Sequence, residues 1–164
     1  MSAKNRKGAT STEAGRKVVT TNRRARHDYQ IDEVIEAGIA LTGTEIKSVR
    51  DGRVNLQEAY AVIENDEVWL TGMHISPFEQ ASEYYNHDPT RPRKLLLHRR
   101  QINYLRRQLL QKGYTLIPLR IALHRGWAKV DIGLGKGKRE YDKRHAIAER
   151  DADRRIQRAL RDRN

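Results

Sequence analysis

The chain has 164 residues, with 33 Lys and Arg against 21 Asp and Glu, a formal net charge of +12 at pH 7. It contains no cysteine, which excludes disulfide scaffolds, zinc ribbons, iron–sulfur clusters and thiol nucleophiles and fits a reducing compartment. No apolar run approaches the ~18 residues of a membrane span, and residues 1–26 hold no apolar leader core, so the expectation is a basic, cytoplasmic protein with a polyanionic partner and no membrane association.

Residues 1–21 are rich in Ser, Thr, Gly, Ala and Lys and show no period, which predicts a disordered basic arm. Tyr29–Ile35 partly alternates and reads as a strand, with Ala37-Gly38 as a turn and Ile39–Val49 as a second strand bent at Gly43. Asn55-Leu-Gln-Glu58 carries the spacing of a helix start. Tyr60–Glu64 and Glu67–Thr71 flank Asn65-Asp66 and predict a hairpin, its second strand running on through His74-Ile75 to Pro77. Residues 79–93 predict a long loop.

Leu97–Lys112 is the clearest helix, with Ile102, Leu105 and Leu109 on one face and Gly113 as its stop. Tyr114–Leu123 and Trp127–Leu134 predict a second hairpin, in which Pro118 must sit at an edge or bulge. The glycines 133, 135 and 137 read as a flexible basic hinge, and 140–164 as a tail that is disordered alone and helical when bound. Strands in hairpins without βα alternation favour a mainly β domain over 22–134, a small antiparallel OB-like barrel with flanking helices, followed by a basic tail over 135–164.

The charge is partitioned along the chain. Residues 1–27 carry eight basic and one acidic side chain, 28–90 three and thirteen, 91–139 fourteen and one, and 140–164 eight and six. Arg91, Arg93, Lys94, Arg99, Arg100, Arg106 and Arg107 form a row suited to an RNA backbone. With aromatics at only 6% and few within that row, recognition of a folded RNA by shape fits better than base stacking along a single strand. Gly-Leu-Gly-Lys-Gly-Lys138 is not a phosphate loop, because Arg139 stands where the magnesium-binding Ser or Thr belongs. No His pair has metal-ligand spacing and no carboxylate pair stands out, so neither metal, cofactor nor catalytic residue is expected. On these features alone, a specific RNA adaptor, a general OB-type RNA-binding or ribosomal protein, and an RNA-processing enzyme all stay open.

Several motifs resemble the SmpB family, the SsrA-binding proteins of bacteria. They are Asn22-Arg-Arg-Ala-Arg-His-Asp-Tyr29, Glu36-Ala-Gly38, Leu41-Thr-Gly-Thr-Glu-Ile-Lys-Ser48 and His74-Ile-Ser-Pro77. They continue with Asp88-Pro-Thr-Arg-Pro-Arg-Lys-Leu-Leu-Leu-His-Arg-Arg100, Lys112-Gly-Tyr-Thr115, and Gly133 to Lys138 followed by Tyr141-Asp-Lys-Arg144. The resemblance spans about residues 22–155 and implies an OB-like barrel without catalytic activity. It implies a monomer that binds the tRNA-like domain of transfer-messenger RNA (tmRNA) and delivers it to stalled ribosomes for trans-translation. The tail is then expected in the small-subunit decoding site and empty mRNA channel. By matching position, Glu36, Leu96 and His98 (where relatives also carry Asn) look like tmRNA contacts, with Arg26, His27 and Lys47 in the same motifs. Lys136, Gly137, Lys138, Tyr141, Lys143 and Arg144 match the segment that resembles the decoding-site contact.

Overall fold

The computed structural model describes residues 15–138 and 140–162; of residues 140–146 it describes the backbone alone. In chain order the elements are β1 (Arg16–Thr21), α1 (Arg23–Asp28), β2 (Tyr29–Ile39), α2 (Gly43–Arg50), β3 (Val54–Asn55), β4 (Tyr60–Glu64) and β5 (Glu67–Thr71). They continue with β6 (His74–Ile75), β7 (Arg93–Leu96), α3 (Arg99–Leu109), β8 (Tyr114–His124), β9 (Trp127–Gly137) and α4 (Glu140–Asp162). The main sheet runs β1-β8-β4-β5-β7-β2-β9, and β9 also pairs with β8. That last pairing closes six antiparallel strands into a barrel, the mainly β architecture expected from the hairpin pattern. A two-stranded ribbon, β3 with β6, lies beside it.

Alternation fills the barrel. On β9, Ala128, Val130, Ile132 and Leu134 enter the core, where they meet Val68, Leu70, Leu95, Leu116 and Ile121. Each of these Val, Ile and Leu side chains contributes roughly 1.5–3 kcal/mol by leaving water. A smaller apolar cluster on the outer wall joins Ala25 of α1 to Ile117 and Leu119 of β8, with Tyr29 and Ile31 packed against it. The hairpin turns have positive φ at both central residues, Asn65-Asp66 (50° and 62°) and Arg125-Gly126 (50° and 83°), the geometry that matches strand twist in two-residue turns. Pro118 sits at a register shift on β8, as a residue without an N–H must.

Several local expectations are corrected. Ala37-Gly38 is no turn: β2 runs unbroken to Ile39, and a Cβ on Gly38 would lie 3.2 Å from that of Leu96, so the glycine admits β7 at close range. Gly43 bends no strand, because 43–50 is a helix. Thr42 Oγ1 accepts from Glu45 N–H and Glu45 Oε1 accepts from Thr42 N–H, a reciprocal cap that overrides the β-propensity of the Ile-, Val- and Thr-rich stretch around it. Asn55 starts no helix; its Oδ1 accepts from Gln57 N–H in a turn that ends β3. Strand β5 stops at Thr71, and Gly72 (φ 80°) separates it from β6.

The Gly133–Lys138 run is not a hinge. Gly133, Gly135 and Gly137 belong to β9, which pairs with β2 as far as Gly137 opposite Tyr29. A Cβ on Gly135 would collide with the carbonyl oxygen of Gln30, where β2 bulges between Ile31 and Glu33. The glycines therefore permit close strand approach, with Leu134 between them in the core. Arg16–Thr21, within the arm expected to be disordered, is strand β1 on β8. The expectation for 1–14 lies outside the described residues.

Candidate nucleic-acid interface

The basic row of residues 91–107 is largely committed to the fold. Arg93 is fully buried: its Nε donates to Glu45 Oε2 at 2.5 Å, and its Nη atoms donate to the carbonyls of Met73, Asp88 and Pro89. Arg91 donates to the other oxygen of Glu45, itself fully buried. Burial opposes ionisation of Glu45, but hydrogen bonds from Thr42 N–H, Arg91 and Arg93 outweigh it and hold the carboxyl below its usual range. Lys94 pairs with Glu67 at 3.1 Å, and Arg99 and Arg106 share Asp66. Arg100 and Arg107 make no ion pair among the described residues. Two arginines of the Asp88–Arg100 motif, Arg91 and Arg93, thus go to fixing one strand.

What that strand displays is Leu96. Leu95 enters the core, while Leu96 on the opposite face is 54% exposed. It borders a groove of about 340 Å³ with Gly38, Leu41, Ile46, Trp127 and Lys129. Trp127, 75% exposed at the start of β9, gives this groove a large open ring. Two residues back on β2 from Gly38, Glu36 faces Asp131 across the β2–β9 ladder. Arg16 of β1 pairs with both carboxylates, and Arg120 Nε also donates to Asp131. An acidic pair on this face is thereby neutralised from the side. His98 caps α3, its backbone N–H donating to Gln101 Oε1 while its ring stays exposed. Lys47 is set apart on α2, with Nζ 5.4 Å from the centre of the Phe78 ring.

Arg26 and His27 do not border the Leu96 groove, although Arg26 also lines a hollow with Val34, Arg120 and Asp131, beside the Glu36 pair. They lie on α1 beside the last residues of β9: Lys138 N–H donates to Asp28 O at 2.8 Å and Lys138 Nζ to Arg26 O at 3.0 Å. Arg23, Arg26, His27 and Lys138 share a hollow with Glu149, Arg150 and Asp153 of α4. Lys136 holds its ammonium 4.7 Å from the Tyr114 ring centre, and the Tyr114 hydroxyl donates to Asp32 at 2.6 Å, which raises its pKa. Gly137 ends β9. Tyr141, Lys143 and Arg144 fall on the first turns of α4, and their side chains lie outside the described residues. Since Tyr29 pairs with Gly137 and Gly38 with Lys129, the hollow at Lys138 and the groove at Leu96 lie toward opposite ends of β2.

The arrangement offers open rings, an apolar knob and exposed cations on a rigid barrel, a surface for stacking and phosphate contact. Among the described residues no group of three or more His, Asp or Glu side chains is placed to hold a metal ion. No described helix is long and apolar enough to cross a membrane. Sequence reasoning missed Trp127 and Arg16. An aromatic directly after a glycine turn signals the first; nothing local signals the second, whose partners lie far along the chain.

The family model "SmpB protein" matches residues 19–162. The SsrA-binding protein of Roseiflexus castenholzii is 57% identical over 147 residues, covering 90% of this chain and 93% of the relative. That of Chloroflexus aggregans is 59% identical over 143 residues, covering 87% and 90%, and that of Bacillus licheniformis 58% over 147, covering 90% and 93%. A solved chain described as "tmRNA-SmpB: a journey to the center of the bacterial ribosome" superposes with a TM-score of 0.63 at 48% identity, over 79% of this chain and 94% of that one. Its motifs, its barrel and its match from residue 19 to residue 162 make this chain a member of the SmpB family.

Proposed function

We propose that the chain is a non-enzymatic cytoplasmic adaptor that binds the tRNA-like domain of tmRNA (SsrA) as a monomer and delivers it to stalled ribosomes for trans-translation. The observation that carries this reading is Leu96: a large apolar side chain held out from the most specific family motif, on a strand that a buried Glu45–Arg93 pair fixes. Glu36, Leu96 and His98 act as tmRNA contacts, with Trp127 available for stacking on a base or ribose. Arg26 and His27 add contacts nearer the other end of β2, and Lys47 lies beside the groove wall formed by Ile46. The segment after the barrel occupies the decoding site and mRNA channel, through Lys136, Gly137, Lys138, Tyr141, Lys143 and Arg144.

The test separates the two roles. Leu96→Asp, with circular dichroism unchanged, is expected to weaken binding of the isolated tRNA-like domain in a gel-shift assay by at least about thirtyfold, the loss of one interface hot spot. Truncation after Lys138, beyond the last strand residue, is expected to keep that binding within about threefold of full-length protein, the ~0.6 kcal/mol below which surface changes fall, while abolishing peptide tagging on stalled ribosomes. Equal loss of both activities in the truncated chain would sink the division of labour. Displacement of the complex by excess bulk tRNA at physiological salt would favour a general RNA binder.

A further inference from the structure

We propose that the loop between β6 and β7 is a docking surface for an arginine- and lysine-rich protein segment, used when the chain sits on the ribosome. This rests on the adaptor reading above; of the contacts that reading names, Lys47 adjoins this loop, over the Phe78 ring at its base. At its tip Tyr84 and Tyr85 are 87% and 75% exposed, with ring centres 5.0 Å apart at right angles. Neither ring is needed to build the core.

The loop that carries them is preorganised. Asn86 binds Phe78 twice, accepting from its N–H at 3.0 Å and donating to its carbonyl at 2.8 Å. His87 Nε2 donates to Ile75 O at 3.0 Å, and Nδ1 is 2.9 Å from the Thr44 hydroxyl. Arg93 binds the carbonyls of Asp88 and Pro89 from inside. The tip therefore rises from a fixed base, and a partner need not order that base on binding.

Its charge selects the partner. In a chain of net charge +12, residues 79–90 contain Glu79, Glu83 and Asp88 and no Lys or Arg. Glu79 pairs with Arg53, and Asp88 accepts from Thr90 within its own turn. Glu83, adjacent to the rings, is exposed and makes no ion pair among the described residues. The cations Arg53, Lys47 and Arg91 stand at the base of the loop, so it is at the tip, beside Glu83, that a phosphate backbone is disfavoured. A guanidinium can stack on either tyrosine and reach the Glu83 carboxylate, so protein cations complement the patch and phosphates do not.

The test uses the full chain with Tyr85 replaced by the photoreactive residue p-benzoyl-phenylalanine, assembled with tmRNA on purified stalled ribosomes and irradiated. The expected product is a protease-sensitive, nuclease-resistant adduct to a Lys- and Arg-rich ribosomal protein. Glu83→Lys in the same chain is expected to lower its yield at least about threefold, consistent with the strength of an exposed ion pair. Gel-shift binding of the tRNA-like domain should be unchanged. Adducts to RNA alone, no adduct from ribosome-bound chain, or a yield indifferent to Glu83→Lys would each overturn the proposal. Failure of the unsubstituted chain to bind the tRNA-like domain would instead strike the adaptor reading itself.

Discussion

The two ends of strand β2 present different kinds of surface. At the Gly38 end, side chains are held by a buried charge network and by neighbouring strands, and the exposed features are an apolar knob, an indole and a carboxylate already neutralised by Arg16. At the Tyr29 end, α1, the end of β9 and the hollow shared with α4 present mostly cations, joined through backbone carbonyls. The first kind of surface suits recognition of shape at short range. The second attracts any phosphate backbone and depends on salt. On the proposed contacts a single barrel carries a selective end and an adhesive end, and variants can be chosen that damage one and spare the other.

The largest effect is expected at Glu45. Glu45→Ala strands Arg93 as a buried, unpaired charge, which should cost about 3–5 kcal/mol and lower the urea midpoint sharply. The folded-state carboxyl lies below its ordinary value of 4.5, so its stabilisation is complete above that value and is lost as pH falls through the lower, folded-state value. Wild-type urea midpoints should therefore drop on acidification in part through this group, and Glu45→Gln should flatten that dependence. An unchanged pH profile in the Gln variant would remove the pair as the anchor of β7.

A smaller effect is expected at the other end. Gly135→Ala drives a methyl into the Gln30 carbonyl and should destabilise the chain by about 1–3 kcal/mol. Amide exchange should quicken in 29–33 and 133–138 while β7 keeps its protection. Uniform loss of protection would mean that the two ends are one cooperative unit. The smallest effect is expected for Arg26→Gln with Lys138→Gln: a modest loss of RNA affinity, with the slope of log affinity against log salt reduced by ~1 for each phosphate contact removed. Leu96→Asp should leave that slope nearly unchanged while costing far more affinity, and matching slopes would erase the distinction.

Much of this was legible in the sequence because it was local. The two tight hairpins, the helix around Ile102 and Leu105, and the bulge at Pro118 follow from turn chemistry and periodicity. The errors share a cause in long-range contact. Thr42-Gly-Thr-Glu45 contains a capping box, yet the surrounding β-branched residues suggest a strand until Arg91 and Arg93 arrive to fix Glu45. Gly133, Gly135 and Gly137 suggest flexibility until β2 is seen to press against them. Arg93, counted among the RNA-facing cations, is buried because its partner comes 48 positions earlier. The candidate contacts Glu36, Leu96 and His98 were readable by family resemblance alone, since nothing in strand periodicity tells an outward leucine from an inward one within Leu95-Leu-Leu97.

The pairing of β9 with both β2 and β8 has a consequence for how the protein is made. Tyr29 waits for Gly137 as its partner, so the ring of strands can be sealed only when nearly all of the 164 residues have been synthesised. Until then β2 and β8 each lack the neighbour that β9 supplies, and contacts so distant along the chain are slow to form. A product released before β9 begins at Trp127 keeps two raw strand edges, the kind of fragment that aggregates unless it is destroyed.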